Sequence, residues 1–292
     1  MNEKLLDIIV CPNCDDPQRL SIDRDHWRCE ACGTGDRVIQ NKPVLCSISS
    51  DEVSSSPPHA PGTGTFWRKK NWGFAQRFSR NISADQIVLE VGTGRGYYRP
   101  LFPNSYVGTD IQLTSNVDFA ADLTQQSVIR PASLDMALLS NLLEHVFEFE
   151  ALLRNVVIGL KPKGLLLIMV PWGGLHYVPH DYFRYTQWAL AAMASKFGLE
   201  LVSLEGVYQP FIVIDNAIAN LEKSIPLDTG IRNSFGRVAA RFTRRIMVDK
   251  VLAYLIRDYQ PYGVVDDLDL EVDDDRKVSQ FPLGYHAAYR KL

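Results

Sequence analysis

Val88-Leu89-Glu90-Val91-Gly92-Thr93-Gly94-Arg95-Gly96 is the stretch from which the rest of the chain is read. A short apolar run, expected as a strand over 87–91, passes directly into a Glu-x-Gly-x-Gly-x-Gly turn, after which a helix is expected to begin. Glycines are needed where backbone turns sharply and comes within contact of a ligand. A pyrophosphate resting on a helix N-terminus suits G-x-G-x-x-G, whereas this sequence has G-x-G-x-G behind an acid, which suits a cationic ligand.

Working downstream, Tyr106-Val107-Gly108-Thr109-Asp110 reads as a second strand that closes on an acid eighteen residues after Gly92. A carboxylate there can accept both hydroxyls of a ribose. Asp122-Leu123 follows at a distance suited to an adenine, and Ser140-Asn141-Leu142-Leu143-Glu144-His145-Val146 ends a strand expected over 134–139. Upstream, 66–79 is aromatic and basic and reads as a helix. Downstream lie a helix over 149–160 stopped by Pro162-Lys163-Gly164, a fully buried strand over 165–170, a strand over 199–204 and a last strand over 284–290. Strands separated by helices imply a parallel sheet covered on both faces.

Together with 160–168, these segments resemble the class I methyltransferases with the Leu-Glu-His-Val signature (methyltransferase domain family 11-like) over about residues 87–204. The resemblance implies an α/β, Rossmann-like sheet that is mostly parallel with its last strand antiparallel. It implies S-adenosyl-L-methionine as cofactor, contacted by Glu90, Gly92, Thr93, Gly94, Gly96, Asp110, Ile111, Asp122, Leu123 and Asn141. The plainer reading of Glu90, Asp110 and Asp122 is that they are caps and turn formers. Arg95 departs from the glycine turn as a bulky cation and is expected to point outward.

Methyl transfer from a sulfonium is an in-line displacement, so the protein must chiefly align an acceptor and exclude water. A hydroxyl or amine acceptor also needs a base, and His145, His176 and His180 are the candidates. The run from Pro171 to Thr186 follows a strand end, where open α/β sheets present their crevice. Its His-Asp-Tyr-Phe-Arg-Tyr-Thr segment resembles one common in methyltransferases of glycan and secondary-metabolite pathways. The expectation is that His180 is the base, that Asp181 orients it, and that Arg184 binds an anionic part of the acceptor or pairs with Asp181. His176, Tyr182 and Tyr185 are expected to line the acceptor site. The plainer alternative makes Asp181 and Thr186 helix caps and Tyr182 and Tyr185 core.

At the N-terminus, Cys11-Pro12-Asn13-Cys14 and Cys29-Glu30-Ala31-Cys32 are two C-x-x-C pairs separated by fourteen residues. Two tight knuckles at this spacing bring four thiolates into a tetrahedron, the preferred geometry of structural Zn2+, with no position left open for chemistry. Cys46 and His26 are then spare, Cys46 as a small buried residue. With the phrase at 4–12 and Lys42-Pro43-Val44-Leu45, the unit resembles the Trm112-like zinc ribbon, whose members bind methyltransferases in trans as activators or occur fused to them. That implies an interface role. The expected organisation is a ribbon at 1–48, a Ser/Pro/Gly/Thr-rich linker at 49–65 and a methyltransferase domain at 66–292 with a helical insertion at about 208–280. Within the insertion Arg237, Arg241, Arg244 and Arg245 fall near one helical face, and 266–275 is acidic. A lid, a face for an anionic or lipid-linked acceptor, or a solvated helix paired with the acids would each fit.

A net charge of −3 provides no global positive field to draw nucleic acid or anionic membrane. In 1–48, six Lys and Arg stand against eight Asp and Glu, which disfavours RNA docking by the ribbon. The chain start lacks a secretory pattern, and paired cysteines suit a reducing compartment, so a cytoplasmic location is expected, without a transmembrane segment though with peripheral membrane contact open. The leading functional expectation is methylation of a small-molecule, sugar or lipid-linked glycan acceptor, with a protein partner through the ribbon. The alternatives are an RNA or protein methyltransferase that docks its substrate by the ribbon, and an inactive methyltransferase-like binding partner.

Overall fold

The computed structural model describes residues 2–14, 20–46, 53–55, 57–125, 128–173, 179–208 and 282–292. His176 and nearly all of the expected insertion, with its arginine face and acidic run, lie outside these residues.

The N-terminal unit starts with one helical turn, α1 (Leu5–Ile8), followed by an antiparallel sheet of β1 (Leu20–Ile22), β2 (His26–Cys29), β3 (Gly35–Ile39) and β4 (Lys42–Pro43) in that order. So small a sheet buries little of its own. Trp27 is its main anchor, 3% exposed, with the indole N–H donated to the Val44 carbonyl at 2.7 Å.

The larger unit is built on a seven-stranded sheet: β5 (Val88–Val91), β6 (Tyr106–Asp110), β7 (Phe119–Ala120), β8 (Leu134–Ser140), β9 (Leu160–Pro171), β10 (Leu199–Tyr208) and β11 (Pro282–Lys291). The strand order is β10-β11-β9-β8-β5-β6-β7. The pairs among β5 to β9 are parallel, and β11 runs antiparallel between β9 and β10. This is the Rossmann-like methyltransferase sheet expected from the motif order. All four residues of β5 are buried, as a strand covered on both faces requires.

Three helices follow sequence cues closely. α2 (Phe66–Ser79) is capped by Thr65, which accepts the Arg68 N–H, and α4 (Gln187–Lys196) by Thr186, which accepts the Ala189 N–H. α3 (Phe149–Gly159) buries Leu152, Leu153, Val156 and Val157 at helical spacing. It stops at Gly159, where an added Cβ would meet Ile129 Cγ2 at 2.6 Å, so α3 ends before the expected Pro162-Lys163-Gly164 stop. That tripeptide instead lies inside β9 at an irregularity in its pairing with β8, with Lys163 at a φ of 66°.

One expectation fails. No long helix follows the glycine turn; residues 94–98 are turns that lead into a 3-10 segment, Arg99–Leu101. Positive φ at Gly94 and Gly96 and the missing N–H of Pro100 oppose regular α-helix there.

The N-terminal unit docks on the sheet edge. Val44 bridges Ala120 of β7 in parallel, Ile9 bridges Ile129 antiparallel, and Ser54 bridges Thr114. Lys42 donates to the Val117 carbonyl at 2.5 Å and Asn2 to that of Tyr106 at 2.8 Å. A two-residue edge strand is thereby covered rather than left with unpaired backbone.

Candidate functional site

The sheet reverses its winding at β5, whose neighbours are β6 and β8, and the crevice opens at the carboxyl ends of these strands. Gly92 leaves β5 at a φ of 74°, and a Cβ there would lie 2.8 Å from Leu142 Cδ1. Around Gly94, by contrast, an added Cβ meets nothing within 4 Å, so this part of the loop faces open space. The loop is tied down by Asp110: its Oδ2 accepts the Gly94 N–H at 3.0 Å and its Oδ1 that of Gln112 at 3.1 Å. The Ala121 N–H is donated to the Asp110 carbonyl at 3.1 Å, which sets Asp122 beside it. Glycine turn, Asp110 and Asp122 thus lie near one another at the carboxyl ends of β5, β6 and β7.

Individual residues differ in how they face it. Ile111 is 57% exposed at the rim, an apolar surface beside the acid suited to a flat ring. Asp122 accepts from Thr124 N and Oγ1 and from Gln125 Nε2, while Leu123 is buried and its carbonyl takes the Asn155 amide. Thr93 is buried, its hydroxyl spent on the Glu90 and Thr109 carbonyls, so only its backbone is available to a ligand. Arg95 is exposed, as expected.

Glu90 corrects the reading of the sequence. Its charge was expected to face a cationic ligand, yet the side chain is 3% exposed and accepts the Tyr106 hydroxyl. Burial pushes its pKa up to about 8, with the Tyr106 hydrogen bond and the Arg99 charge pulling the other way. Near neutral pH it is mostly a protonated strut beneath the glycine loop.

Asn141, at the end of β8, adopts a φ of 50° and accepts the Trp67 indole N–H at 2.7 Å. Trp67 stands at the start of α2, with its ring 5.2 Å from that of His286 on β11. Behind them Asn71, 0% exposed, hydrogen-bonds His286, and Tyr98 hydrogen-bonds the Ser140 hydroxyl at 2.8 Å. Burial pushes His286 down to about 3, so it is neutral and structural. Sequence reasoning missed Trp67, Asn71 and His286 because 215 residues separate the last two. A polar residue on the apolar side of an amphipathic helix, as Asn71 is, was the available signal.

The candidate acceptor side brings together two segments that the sequence keeps apart. Tyr182 and Phe183 donate their N–H groups to the Glu144 carbonyl at 2.7 and 3.3 Å, and Tyr185 donates its hydroxyl to that of Leu143. His145 Nδ1 lies 3.0 Å from the His180 carbonyl. A carbonyl only accepts, so Nδ1 carries a proton, and in the neutral ring it is Nε2 that bears the lone pair. Glu144 is 2% exposed, its Oε1 is 3.8 Å from His145 Nε2, and among the described residues no hydrogen-bond partner reaches its Oε2. Burial pushes this carboxyl up to about 8.

His180 Nδ1 meets the Tyr182 hydroxyl at 3.1 Å, whereas Asp181 receives both guanidinium NH2 groups of Arg184. Of the two expectations for Arg184, pairing with Asp181 is the one observed. That fork occupies the carboxylate proposed to orient His180. Of the plainer readings, Thr186 is a cap and Tyr185 is 5% exposed core, but Tyr182 is 45% exposed. Phe147, 63% exposed, packs edge-on against Tyr182 with centroids 5.4 Å apart and gives the site an aromatic lip.

In the N-terminal unit, the Sγ atoms of Cys11, Cys14, Cys29 and Cys32 all lie within 4.8 Å of one another, with Cys11–Cys32 at 3.5 Å and Cys14–Cys29 at 3.6 Å. Four sulfurs at about 2.3 Å from a tetrahedral ion stand roughly 3.8 Å apart, so this cluster fits zinc. Elemental analysis of the purified protein is expected to give one zinc per chain, and Cys29→Ser to lose most of it. A wild-type protein without metal would remove the assignment.

Strand order and crevice define the class, a Rossmann-like methyltransferase fold. Residues 67–204, just under half of the chain, match the family described as "Methyltransferase domain". No sequence match was found among curated proteins. Among solved structures, phosphoethanolamine N-methyltransferase 2 of Haemonchus contortus with S-adenosyl-L-methionine is 15% identical at a TM-score of 0.44, covering 76% of this chain and 52% of that one. This chain therefore spans about half the length of that relative. A SAM-dependent methyltransferase from Archaeoglobus fulgidus is 14% identical at 0.45, covering 77% and 94%. A Haloferax volcanii complex of the Trm112 methyltransferase activator with a methyltransferase is 15% identical at 0.39, covering 48% and 76%. No described helix is long and apolar enough to cross a membrane.

Proposed function

We propose that the chain transfers a methyl group from S-adenosyl-L-methionine to a hydroxyl or amine of a small-molecule, sugar or lipid-linked glycan acceptor, and that its N-terminal unit is a zinc ribbon of the Trm112-like kind. The observation that carries the first part is the Asp110 carboxylate, which holds the glycine loop by the Gly94 N–H at the winding reversal of the sheet.

Gly92, Gly94 and Gly96 would give backbone approach, Asp110 the ribose contact, and Ile111 with Asp122-Leu123 the adenine contact. When bound, the cofactor supplies an electrophilic methyl group, so this chain's residues need only orient the acceptor, exclude water and take one proton. His145 is the better base. The Nδ1–H bond to the His180 carbonyl fixes the tautomer whose Nε2 can take a proton from the acceptor. His180 and the exposed Phe147–Tyr182 pair would border the acceptor, and the apolar rings suit the face of a sugar or a planar ring. With Arg184 held by Asp181, this rim offers little for a strongly anionic acceptor.

The test is calorimetry with S-adenosylmethionine and S-adenosylhomocysteine, followed by labelled-methyl transfer into fractionated cell extract. One cofactor per chain, with label in the small-molecule or glycan fraction, is expected; no heat with either ligand overturns the reading, and label in RNA or protein overturns the acceptor class. His145→Ala should cut transfer about 100-fold with unchanged cofactor affinity, the usual scale for a lost general base, and His180→Ala less than about tenfold. Equal rates for wild type and His145→Ala would return the role of base to another group.

A further inference from the structure

The ribbon grips, from both sides, the stretch of chain that carries Asp122. On the entering side Val44 bridges Ala120 and Leu45 donates its N–H to the Ala120 carbonyl at 2.8 Å. On the leaving side Ile9 bridges Ile129, Val10 donates to the Val128 carbonyl at 2.9 Å, and Arg130 donates to that of Ile8 at 2.7 Å. Ile8, Ile9, Val44, Ala120 and Ile129 are all 0% exposed, so both grips are dry and their hydrogen bonds are costly to break. Next after Val10 comes Cys11, one of the four clustered thiols. On its other edge β7 is held by two pairs only, Thr109 with Phe119 and Asp110 with Ala120.

We propose that metal in the four-cysteine cluster and the adenosyl ligand in the crevice are coupled in free energy, with Val10 and Leu45 as positioning residues for Asp122-Leu123. This rests on the reading of the crevice as an S-adenosylmethionine site. The physical route is short. Metal cross-links the knuckle that follows Val10 to the one at the end of β2, and so fixes a unit too small to order itself by burial. The ordered ribbon then presents the backbone groups of 8–10 and 44–45 to the stretch around Asp122. Without metal those partners loosen, and the ligand must order Asp122-Leu123 at its own expense in affinity. Because coupling is reciprocal, the adenosyl ligand must also tighten metal retention by the same factor.

The experiment uses the full chain and S-adenosylhomocysteine as probe. Stripping zinc with a chelator, then removing the chelator, is expected to raise the calorimetric Kd by about tenfold or more, within the usual range of coupling, and adding zinc back to restore it. Saturating S-adenosylhomocysteine should raise, by that same factor, the chelator concentration needed to draw off half of the zinc. In zinc-loaded protein, Leu45→Pro, which cannot donate to the Ala120 carbonyl, should bind the probe several-fold more weakly than Leu45→Ala, which keeps that N–H. Equal Kd values with and without zinc in a chain still folded by circular dichroism overturn the coupling while leaving the cofactor reading intact. Failure to bind the probe in either state overturns both. Should stripping unfold the chain, equal affinities of the two Leu45 variants overturn the positioning role.

Discussion

Asp110→Ala is expected to weaken S-adenosylhomocysteine binding about 100-fold while leaving the thermal midpoint within a few degrees. A hydrogen bond to a charged group contributes about 1.5–3 kcal/mol, and two ribose hydroxyls on one carboxylate together make roughly 3 kcal/mol, or about a hundredfold in Kd. The residue also restrains the empty loop, since its oxygens accept from Gly94 and Gln112. Asp110→Asn keeps one acceptor oxygen and should fall between alanine and wild type. Stability should change little because the side chain sits at the rim, not in the core. Calorimetry of the three proteins decides the matter: wild-type affinity in the alanine variant would mean that the crevice does not hold a ribose there.

The second large effect is a pH-dependent gain of stability in Glu90→Gln. Burial lifts the Glu90 carboxyl from 4.5 to about 8 in the folded protein, so folding favours its protonated form. The associated stability is complete below pH 4.5 and is lost as the pH rises through about 8. Glutamine has the same shape, keeps an acceptor for the Tyr106 hydroxyl and cannot ionise. Near pH 5 the two proteins should therefore be close in stability, and by pH 8.5 the variant should be more stable by roughly 2–4 kcal/mol, the scale of a carboxyl shifted by this much. Glu144 is lifted likewise but is common to both proteins, so the difference isolates Glu90. Urea midpoints at pH 5, 7 and 8.5 would show it. A constant difference across that range would mean that Glu90 is ionised throughout.

These two acids also show how far the sequence could be read. Both were singled out by the same rule, an acid at the end of a strand, and the chain places them in opposite environments. Asp110 is the last residue of β6 and meets the crevice, whereas Glu90 is two residues short of the loop and points beneath it toward Tyr106. Spacing along a strand gives alternation of faces, but which face is wet depends on what the neighbouring strand and helix bring.

The acceptor side shows the same division. His145 and His180 were each legible as imidazoles near strand ends, but not their relation. It was fixed when the loop after β9 donated its N–H groups to the carbonyl of Glu144, and this gave His145 a defined tautomer. The pairing of Asp181 with Arg184 was legible as an i,i+3 ion pair, and it displaced the orienting role proposed for Asp181.

By itself, the sequence determined most of the strand and helix alternation, the cap at Thr186, the glycine turn at 92–96 and the four clustered cysteines, because each is written in residues close together along the chain. Tertiary structure alone decided that the N-terminal unit covers β7 and that Trp67 meets Asn141. Those facts depend on contacts between segments 50 to more than 100 residues apart, where burial and hydrogen-bond partners come from the packed neighbours and leave no local pattern.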